Sequence, residues 1–266
     1  MSSPASYVET AAAEAYEKYL VPPVFGPWAE FLVGLAEPRR GERVLDVACG
    51  TGAATRLAAQ RAGDAIGVDI AAGMLEVARR HRGIENCVVD WRRGDACRLE
   101  FEDSLFDLCL CFQGLQHFSE RERALEEMRR VLKPTGRLIV AVWAQIELTP
   151  GLDAVRLALE AHQIDTNAFR RPFALGAPHA LEALVRYAGF TKAEVTLHER
   201  LAHFASVETF LQALSVGSAA SRAALQQVSC ERGSGFSTDV QQRLAEFVRP
   251  DALIFPYRSY VVFARP

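Results

Sequence analysis

Short apolar runs alternate with amphipathic stretches through the first half of the chain. The apolar runs have the length of buried strands, and they lie at RVLDVA (43–48), AIGVDI (65–70), CVVDW (87–91), LFDLCLCF (105–112) and RLIVAVW (137–143). Helical periodicity fills the intervals at 53–62, 71–82 and 121–132. Buried strands separated by amphipathic helices indicate an α/β fold whose parallel sheet is covered on both faces.

The second half has a less regular pattern. It predicts a helix over 177–188, a strand over 191–204 and a closing strand in PYRSYVVFARP. Residues 206–250 have a mostly helical pattern, which the polar, turn-rich SCERGSGFS (229–237) is expected to interrupt.

We expect residues 1–266 to form a single domain with helical additions around one sheet. The ligand-binding core is predicted over 40–143, with an N-terminal helical cover over 1–36 and further helical additions at 144–176 and 206–250. Because loops and lids on a rigid scaffold carry specificity, we expect the two later additions to cover a substrate.

Composition and charge narrow the class of partner. Half of the residues are apolar, mean hydropathy is near zero and the formal net charge is -3, which is typical of an ordinary globular protein and disfavours electrostatic binding of nucleic acid. No run approaches the roughly 18 apolar residues of a membrane span, and the start MSSPASYVET lacks a secretory pattern. We therefore expect a cytoplasmic protein with neither nucleic-acid nor membrane partners.

The cysteines and histidines do not predict a metal site. The six cysteines form no CxxC pair, and buried reduced thiols are the simplest interpretation of them. Four histidines have no partner at metal-ligand spacing, namely His162, His179, His198 and His203.

One stretch, VLDVACGTG (44–52), carries the candidate chemistry. Gly50 and Gly52 follow a predicted strand and precede a helix, where ligands bind at the carboxyl ends of a parallel sheet. Asp69 ends the next strand, at about the twenty-residue offset where an acid meets a ribose diol. Nicotinamide dinucleotides, nucleoside triphosphates and S-adenosylmethionine all sit on such corners.

An acidic residue inside the first predicted strand indicates which of these ligands the corner binds. Asp46 would repel a pyrophosphate but would attract S-adenosylmethionine, which carries a sulfonium and an ammonium. Thr55 stands where the dinucleotide fingerprint has a third small residue. The pattern favours S-adenosylmethionine, while a nicotinamide-dependent oxidoreductase stays open as an alternative.

These residues also carry a family resemblance. VLDVACGTG resembles motif I of the class I S-adenosylmethionine-dependent methyltransferases, GVDIAAGML resembles their second motif, and residues 92–143 are similar to the rest of their core. YEKYLVPPVFGPWAEFL resembles the helical cover of the small-molecule, quinone-methyltransferase-like (type 11) branch. The resemblance implies a Rossmann-like, seven-stranded, mostly parallel sheet with a reversed last strand, which YRSYVVFAR would supply.

The resemblance also implies roles for individual residues. Asp46 and the backbone at Ala48, Gly50 and Gly52 would hold the methionine part of the cofactor, and Asp69 would accept the ribose hydroxyls. The remaining implied cofactor contacts are Ile70 and Met74 on adenine, Asp95 and Ala96 at the adenine amino edge, and Cys111, Phe112 and Gln113 beside the sulfonium and facing the substrate.

The implied reaction is methyl transfer to a small molecule by in-line displacement. A general base is needed only when the acceptor holds its proton tightly, so His117 and Gln113 are the candidate catalytic residues, with a packing role as the alternative for His117. Tyr16, Tyr19 and Gln116 are the candidate substrate contacts. A non-catalytic S-adenosylmethionine-binding protein and a homodimer through the lid helices both stay open.

Overall fold

The computed structural model describes residues 4–81, 87–228 and 230–266. Its sheet contains eight strands, which are β1 Val44–Val47, β2 Asp64–Asp69, β3 Val88–Arg93, β4 Phe106–Phe112, β5 Leu132–Trp143, β6 Thr191–Phe204, β7 Val248–Arg249 and β8 Ala252–Arg265. Seven of them form a continuous path in the order β3-β2-β1-β4-β5-β8-β6, and the short β7 pairs with β8.

Strand direction agrees with the prediction from the sequence. The pairs β1–β2, β2–β3, β1–β4 and β4–β5 are parallel. The last strand, β8, runs antiparallel to both β5 and β6. The Rossmann-like, mostly parallel sheet with a reversed final strand is therefore confirmed, with the two-residue β7 as an addition that the helical pattern of 206–250 did not predict.

Eleven α-helices surround this sheet in the described part of the chain. They are α1 Pro4–Tyr19, α2 Gly26–Ala36, α3 Ala53–Ala62, α4 Ala72–Arg80, α5 Arg121–Val131, α6 Pro150–Ala161, α7 Asn167–Arg170, α8 Pro178–Tyr187, α9 Val207–Gly217, α10 Ala219–Leu225 and α11 Cys230–Arg243. A π-helical turn, Val21–Phe25, joins α1 to α2, and 3₁₀ turns at Leu115–His117 and Arg171–Phe173 border the site described below.

Strand alternation divides the apolar side chains between two cores, one on each face of the sheet. Leu108 and Leu110 of β4 belong to the core that includes α2 and α3, whereas Cys109 and Cys111 belong to the opposite core with α5 and α8. Because successive strand residues point to opposite faces, a strand buried on both faces is apolar throughout. This explains the continuous apolar runs in the sequence.

One predicted interruption is wrong. Most of SCERGSGFS (229–237) lies in α11, where the turn-rich composition predicted a break. Phe236 and Val240 on this helix are 4% and 0% exposed, so burial of an apolar face outweighs the poor helix propensity of glycine and serine. Residues 1–3, Arg82 and Ser229, which belonged to predicted elements, lie outside the described residues.

The N-terminal helix α1 is docked closely against α4. A Cβ on Gly73 of α4 would lie 2.6 Å from the carbonyl carbon of Glu9, so the two backbones approach as only glycine allows. The Thr10 hydroxyl donates to Glu76 at 2.8 Å, and His81 lies 2.8 Å from Glu17. This contact fixes the end of α1 beside the carboxyl ends of the central strands.

Within the described residues, no single helix is long and apolar enough to cross a membrane. Glu9–Tyr19 and Val21–Ala36, bent by 48° at their junction, meet that length and composition criterion only as a pair. Trp28 and Leu32 of this pair are 2% and 0% exposed and belong to the protein core.

Candidate active site

The corner between β1 and α3 turns through left-handed backbone. Ala48, Gly50 and Gly52 have φ of 59°, 57° and 84°, and the Gly52 N–H donates to the Cys49 carbonyl at 2.9 Å. A Cβ on Gly50 would meet nothing within 4 Å, so this backbone faces open space. A Cβ on Gly52 would lie 2.1 Å from the Trp91 ring. Gly50 therefore leaves room for a ligand, whereas Gly52 makes room for a side chain of β3.

Asp69 ties this corner to the end of β2. Its Oδ2 accepts the Gly50 N–H at 2.8 Å, and its Oδ1 accepts the Ala71 N–H at 2.9 Å. Burial raises the pKa of the Asp69 carboxyl. Each carboxylate oxygen can accept more than one hydrogen bond, so Asp69 can hold the corner and still receive ligand hydroxyls.

Asp46 is the second buried acid at this corner and is only 2% exposed. Burial raises its pKa to about 7, the hydrogen bond from the Thr55 hydroxyl at 2.6 Å opposes that rise, and the nearby charge of Asp69 adds to it. Neither acid has an ion-pair partner among the described residues. Two neighbouring buried carboxyls without a cation fit the ammonium and sulfonium of S-adenosylmethionine and disfavour a pyrophosphate.

Three neighbouring cavities open around the carboxyl ends of the strands. The corner cavity, of ≈ 40 Å³, lies beside the glycine turn, and its lining includes Tyr16, Phe25, Asp46, Ala48, Phe112 and Gln113. The β2 cleft, of ≈ 180 Å³, is lined by Ala48, Asp69, Ile70, Asp95, Ala96, His117 and Phe118 among others. The central cavity, of ≈ 760 Å³, includes Tyr16, Phe25, Met74, Gln116, His117, Arg121, Trp143 and Arg171 in its lining.

Shared residues join these spaces. Tyr16 and Phe25 line both the corner cavity and the central cavity, while His117 and Phe118 line both the β2 cleft and the central cavity. The structure thus brings most of the predicted site residues around one connected region. Met74 lines the central cavity, whereas Ile70 lines the β2 cleft. The two residues, which were both expected to contact adenine, therefore line different cavities.

Two predicted site residues do not reach this region. Cys111 is fully buried in the core with α5 and lines none of the three cavities, which corrects the expectation that it faces the sulfonium. Strand alternation turns Cys111 away from the corner cavity that Phe112 lines, and its side chain is packed in the core instead. Tyr19 also lines none of the three cavities, and its ring lies 4.9 Å from the Lys18 ammonium.

A buried polar chain follows β4. Gln113, with φ of 58°, donates from Nε2 to the Ser259 hydroxyl at 2.8 Å and accepts at Oε1 from Gln116 Nε2 at 3.1 Å. All three side chains are buried. Since both ends of the Gln113 amide are engaged, the geometry favours a positioning role for it over proton transfer.

His117 lies in the 3₁₀ turn after β4, at the junction of the β2 cleft and the central cavity. Partial removal from water and the charges of Arg171 and Arg121 lower the pKa of its imidazole. A lowered pKa keeps the ring neutral near pH 7, which is the form that can accept a proton.

Sequence reasoning missed several residues of this region. Trp91, Trp143, Arg121, Arg171 and Ser259 come from five different elements, and none of them was predicted to be a site residue. Thr55 was noted only as a poor fit to a dinucleotide fingerprint, whereas its hydroxyl holds Asp46. Among the described residues, no group of three or more His, Cys, Asp or Glu side chains could hold a metal ion.

Comparisons with known proteins agree with this geometry. Residues 45–140 match a family model described as a methyltransferase domain. The chain is 39% identical over 114 residues to a demethylmenaquinone methyltransferase of Paenarthrobacter aurescens, a match that covers 43% of this chain and 44% of the relative. It is 39% identical over 131 residues to a ubiquinone/menaquinone biosynthesis C-methyltransferase of Bordetella avium, covering 47% and 51%.

The chain therefore spans about half the length of the curated relatives it matches. A solved structure of a phosphoethanolamine N-methyltransferase from Haemonchus contortus, in complex with S-adenosylhomocysteine, superposes with a TM-score of 0.60 at 21% identity. That match covers 98% of this chain and 58% of the other, and at this identity it bears on the fold alone. The family match and the acidic glycine corner thus coincide in residues 45–140, the part of the chain that matches a methyltransferase domain.

Proposed function

We propose that this protein transfers a methyl group from S-adenosylmethionine to a small molecule bound in the central cavity. One observation carries the proposal: Asp46 and Asp69 are buried acids without a cationic partner among the described residues, and they line two cavities that share lining residues with the central cavity of ≈ 760 Å³. The acids provide a place for a cationic cofactor, and the cavity provides a separate place for the acceptor.

The residues present fit the cofactor at each of its ends. Asp46 and the open backbone at Gly50 would hold the methionine part, and Asp69 would accept the ribose hydroxyls. Ile70 and Ala96, which line the β2 cleft, would contact the adenine. When bound, the cofactor supplies a methyl group on a sulfonium, a leaving group that needs no protonation.

The central cavity supports a small, largely apolar or aromatic acceptor. Its apolar wall includes Leu20, Phe25 and Trp143. Part of its lining comes from the additions at 144–176 and 206–250, and Tyr16 and Phe25 come from the N-terminal cover. In this proposal the cover and the two additions close over the acceptor and exclude water, while residues 40–143 hold the cofactor.

The chain contributes alignment and, for some acceptors, a base. Bound S-adenosylmethionine would supply the methyl carbon for in-line displacement, in which the acceptor–carbon bond would form as the carbon–sulfur bond breaks and a neutral thioether would be left. Neutral His117 takes the proton if the acceptor atom is a hydroxyl or a carbon acid. Gln113, held by Ser259, keeps the end of β4 in place beside the corner cavity.

A calorimetric titration tests the cofactor assignment. We expect micromolar binding of S-adenosylhomocysteine and no binding of NAD. Asp69→Ala should weaken binding by the roughly 1.5–3 kcal/mol of a lost charged hydrogen bond. Asp64→Ala is the matched control, because Asp64 is an exposed acid at the opposite end of the same strand. Binding of NAD in place of S-adenosylhomocysteine would contradict the proposal.

A second measurement separates an enzyme from a protein that only binds the cofactor. Formation of S-adenosylhomocysteine is followed with a panel of phenolic, quinone and amine acceptors, and product mass is measured. Methylated product supports the proposal. Tight cofactor binding without turnover on any acceptor would leave the non-catalytic alternative as the better interpretation.

A further inference from the structure

The cavities differ in the sign of the charged side chains that line them. The acids Asp46, Asp69 and Asp95 line the corner cavity and the β2 cleft. The lining of the central cavity contains two arginines, Arg121 and Arg171, and no aspartate or glutamate. The space that we assign to the acceptor therefore carries uncompensated positive charge.

Arg121 lies at a position that disfavours a positive charge unless an anion is bound nearby. It is the first residue of α5, and the N-terminus of a helix carries partial positive charge. Its Nη2 donates to the Gln116 carbonyl at 3.1 Å, while its Nε–H is buried and meets no acceptor among the described residues. A buried charged donor without an acceptor is costly unless a ligand satisfies it.

Arg171 approaches the same cavity from a different part of the chain. It begins the 3₁₀ turn Arg171–Phe173 and is exposed, and its guanidinium forms no hydrogen bond or ion pair with a described residue that would keep it from a ligand in the cavity. Its neighbour Arg170 differs, since it lies 3.4 Å from carboxylates of both Glu147 and Glu160. Both cavity arginines act on His117, because their charges lower the pKa of its imidazole.

From this arrangement we infer that the methyl acceptor carries an oxyanion, a carboxylate or a phosphoryl group, held by Arg121 and Arg171. This inference rests on the proposed function, because it names the chemistry of the molecule in the central cavity. Guanidinium forks match the geometry of both oxyanions and form their strongest hydrogen bonds with them. The apolar remainder of the acceptor would lie against Phe25 and Trp143.

The carboxylate of the cofactor itself does not account for the arginine pair. In our assignment the methionine part lies at the corner cavity, and neither Arg121 nor Arg171 lines that cavity. His117 lies between the β2 cleft and the central cavity, so an oxyanion at the arginines would orient the acceptor past the imidazole toward the cofactor.

Binding of simple oxyanions to protein saturated with S-adenosylhomocysteine tests the inference. Benzoate and phenyl phosphate are titrated calorimetrically at low ionic strength, with benzamide as the uncharged mimic. We expect at least one anion to bind about tenfold more tightly than benzamide, with the tighter one identifying carboxylate or phosphoryl as the preferred group. Arg171→Gln and Arg121→Gln should each weaken the anion by about fivefold or more.

Arg170→Gln is the matched control, because Arg170 is adjacent to Arg171 in sequence, carries the same charge and does not line the central cavity. It should change the affinity for the anion less than twofold. Equal binding of benzamide and both anions, no anion binding up to about 50 mM, or an equal loss in Arg170→Gln would each overturn the inference. Titration with S-adenosylhomocysteine is carried out first on every variant. Failure of the wild-type chain to bind it contradicts the proposed function, which keeps the two failures distinct.

Discussion

The Thr55 hydroxyl donates a 2.6 Å hydrogen bond to the carboxyl of Asp46, linking the first turn of α3 to the middle of β1. Both groups are buried, so this bond forms in a low-dielectric environment where it acts strongly on the charge of the acid. It is the single side-chain hydrogen bond that favours the ionised form of Asp46 within the described residues.

Replacing Thr55 by valine should therefore weaken cofactor binding in a pH-dependent way. The pKa of Asp46 is about 7 with this bond in place, so loss of the bond should raise it further. We expect the affinity for S-adenosylhomocysteine to increase through pH 7 in the wild-type chain and to increase at a higher pH in Thr55→Val. Calorimetric titrations across this pH range check the shift, and Thr55→Ser, which keeps the hydroxyl, should behave like the wild type.

Removing the charge of Asp46 should stabilise the ligand-free protein at alkaline pH. Burial raises this pKa from 3.8 to about 7, so the folded state binds more protons than the unfolded state between those values, and stability falls as pH rises between them. The difference between 3.8 and about 7 corresponds to roughly 4 kcal/mol at about 1.4 kcal/mol per pKa unit, so we expect Asp46→Asn to raise the free energy of unfolding at pH 8 by up to roughly 4 kcal/mol.

Urea denaturation at pH 4 and pH 8 measures this effect. The gain should be small near pH 4, where Asp46 is protonated in the folded state and only about half ionised in the unfolded state. Asp64→Asn should show no comparable gain because Asp64 is exposed. A gain of equal size at both pH values would contradict the electrostatic explanation. The same variant should bind S-adenosylhomocysteine more weakly.

Substituting Gly73 should loosen the N-terminal cover. A Cβ at this position would lie 2.6 Å from the Glu9 carbonyl carbon and 2.8 Å from the Thr10 nitrogen, and backbone atoms cannot yield as a flexible side chain can. We expect Gly73→Ala to cost about 1–3 kcal/mol and to expose α1 to limited proteolysis. Gly34→Ala in α2 is the control, since its Cβ meets nothing within 4 Å, and it should be neutral or slightly stabilising.

The titration of His117 should respond to one arginine and not to its neighbour. Arg171 lowers the pKa of the imidazole, so Arg171→Gln should raise it toward its ordinary value. Arg170→Gln, where the charge is paired with glutamates, should leave it nearly unchanged. Histidine NMR resonances followed against pH report the value directly, and identical shifts in the two variants would disagree with the structure.

Local sequence pattern predicted the part of the site that is built locally. The glycine corner, Asp46 and Asp69 lie at the ends of adjacent parallel strands, so the strand–turn–helix pattern was enough to bring them together. Cys111 was placed incorrectly because a motif aligns whole stretches, whereas the pleat sends each successive side chain to the other face. Most of SCERGSGFS was misassigned because burial of Phe236 outweighs local propensity.

The rest depends on contacts that no local window contains. Gln113 and Ser259 are 146 positions apart, and Arg121 and Arg171 line one cavity only because the start of α5 and the turn Arg171–Phe173 both border it. Trp91 occupies the space next to Gly52, and it does so because the sheet order β3-β2-β1 brings the side of β3 near the turn that follows β1. Contacts between residues so far apart follow from the order of the strands in the sheet, and the spacing of residues in one sequence does not predict that order.

The position of β8 has a consequence for how the chain is made. Because β8 lies between β5 and β6, the fourteen residues of β6 gain their strand partner only after residues 252–265 have left the ribosome. Ser259, which holds Gln113 at the edge of the corner cavity, arrives with that same strand. A nascent chain arrested before residue 252 would therefore present an unpaired strand to chaperones and would not yet hold the end of β4 as the finished protein does.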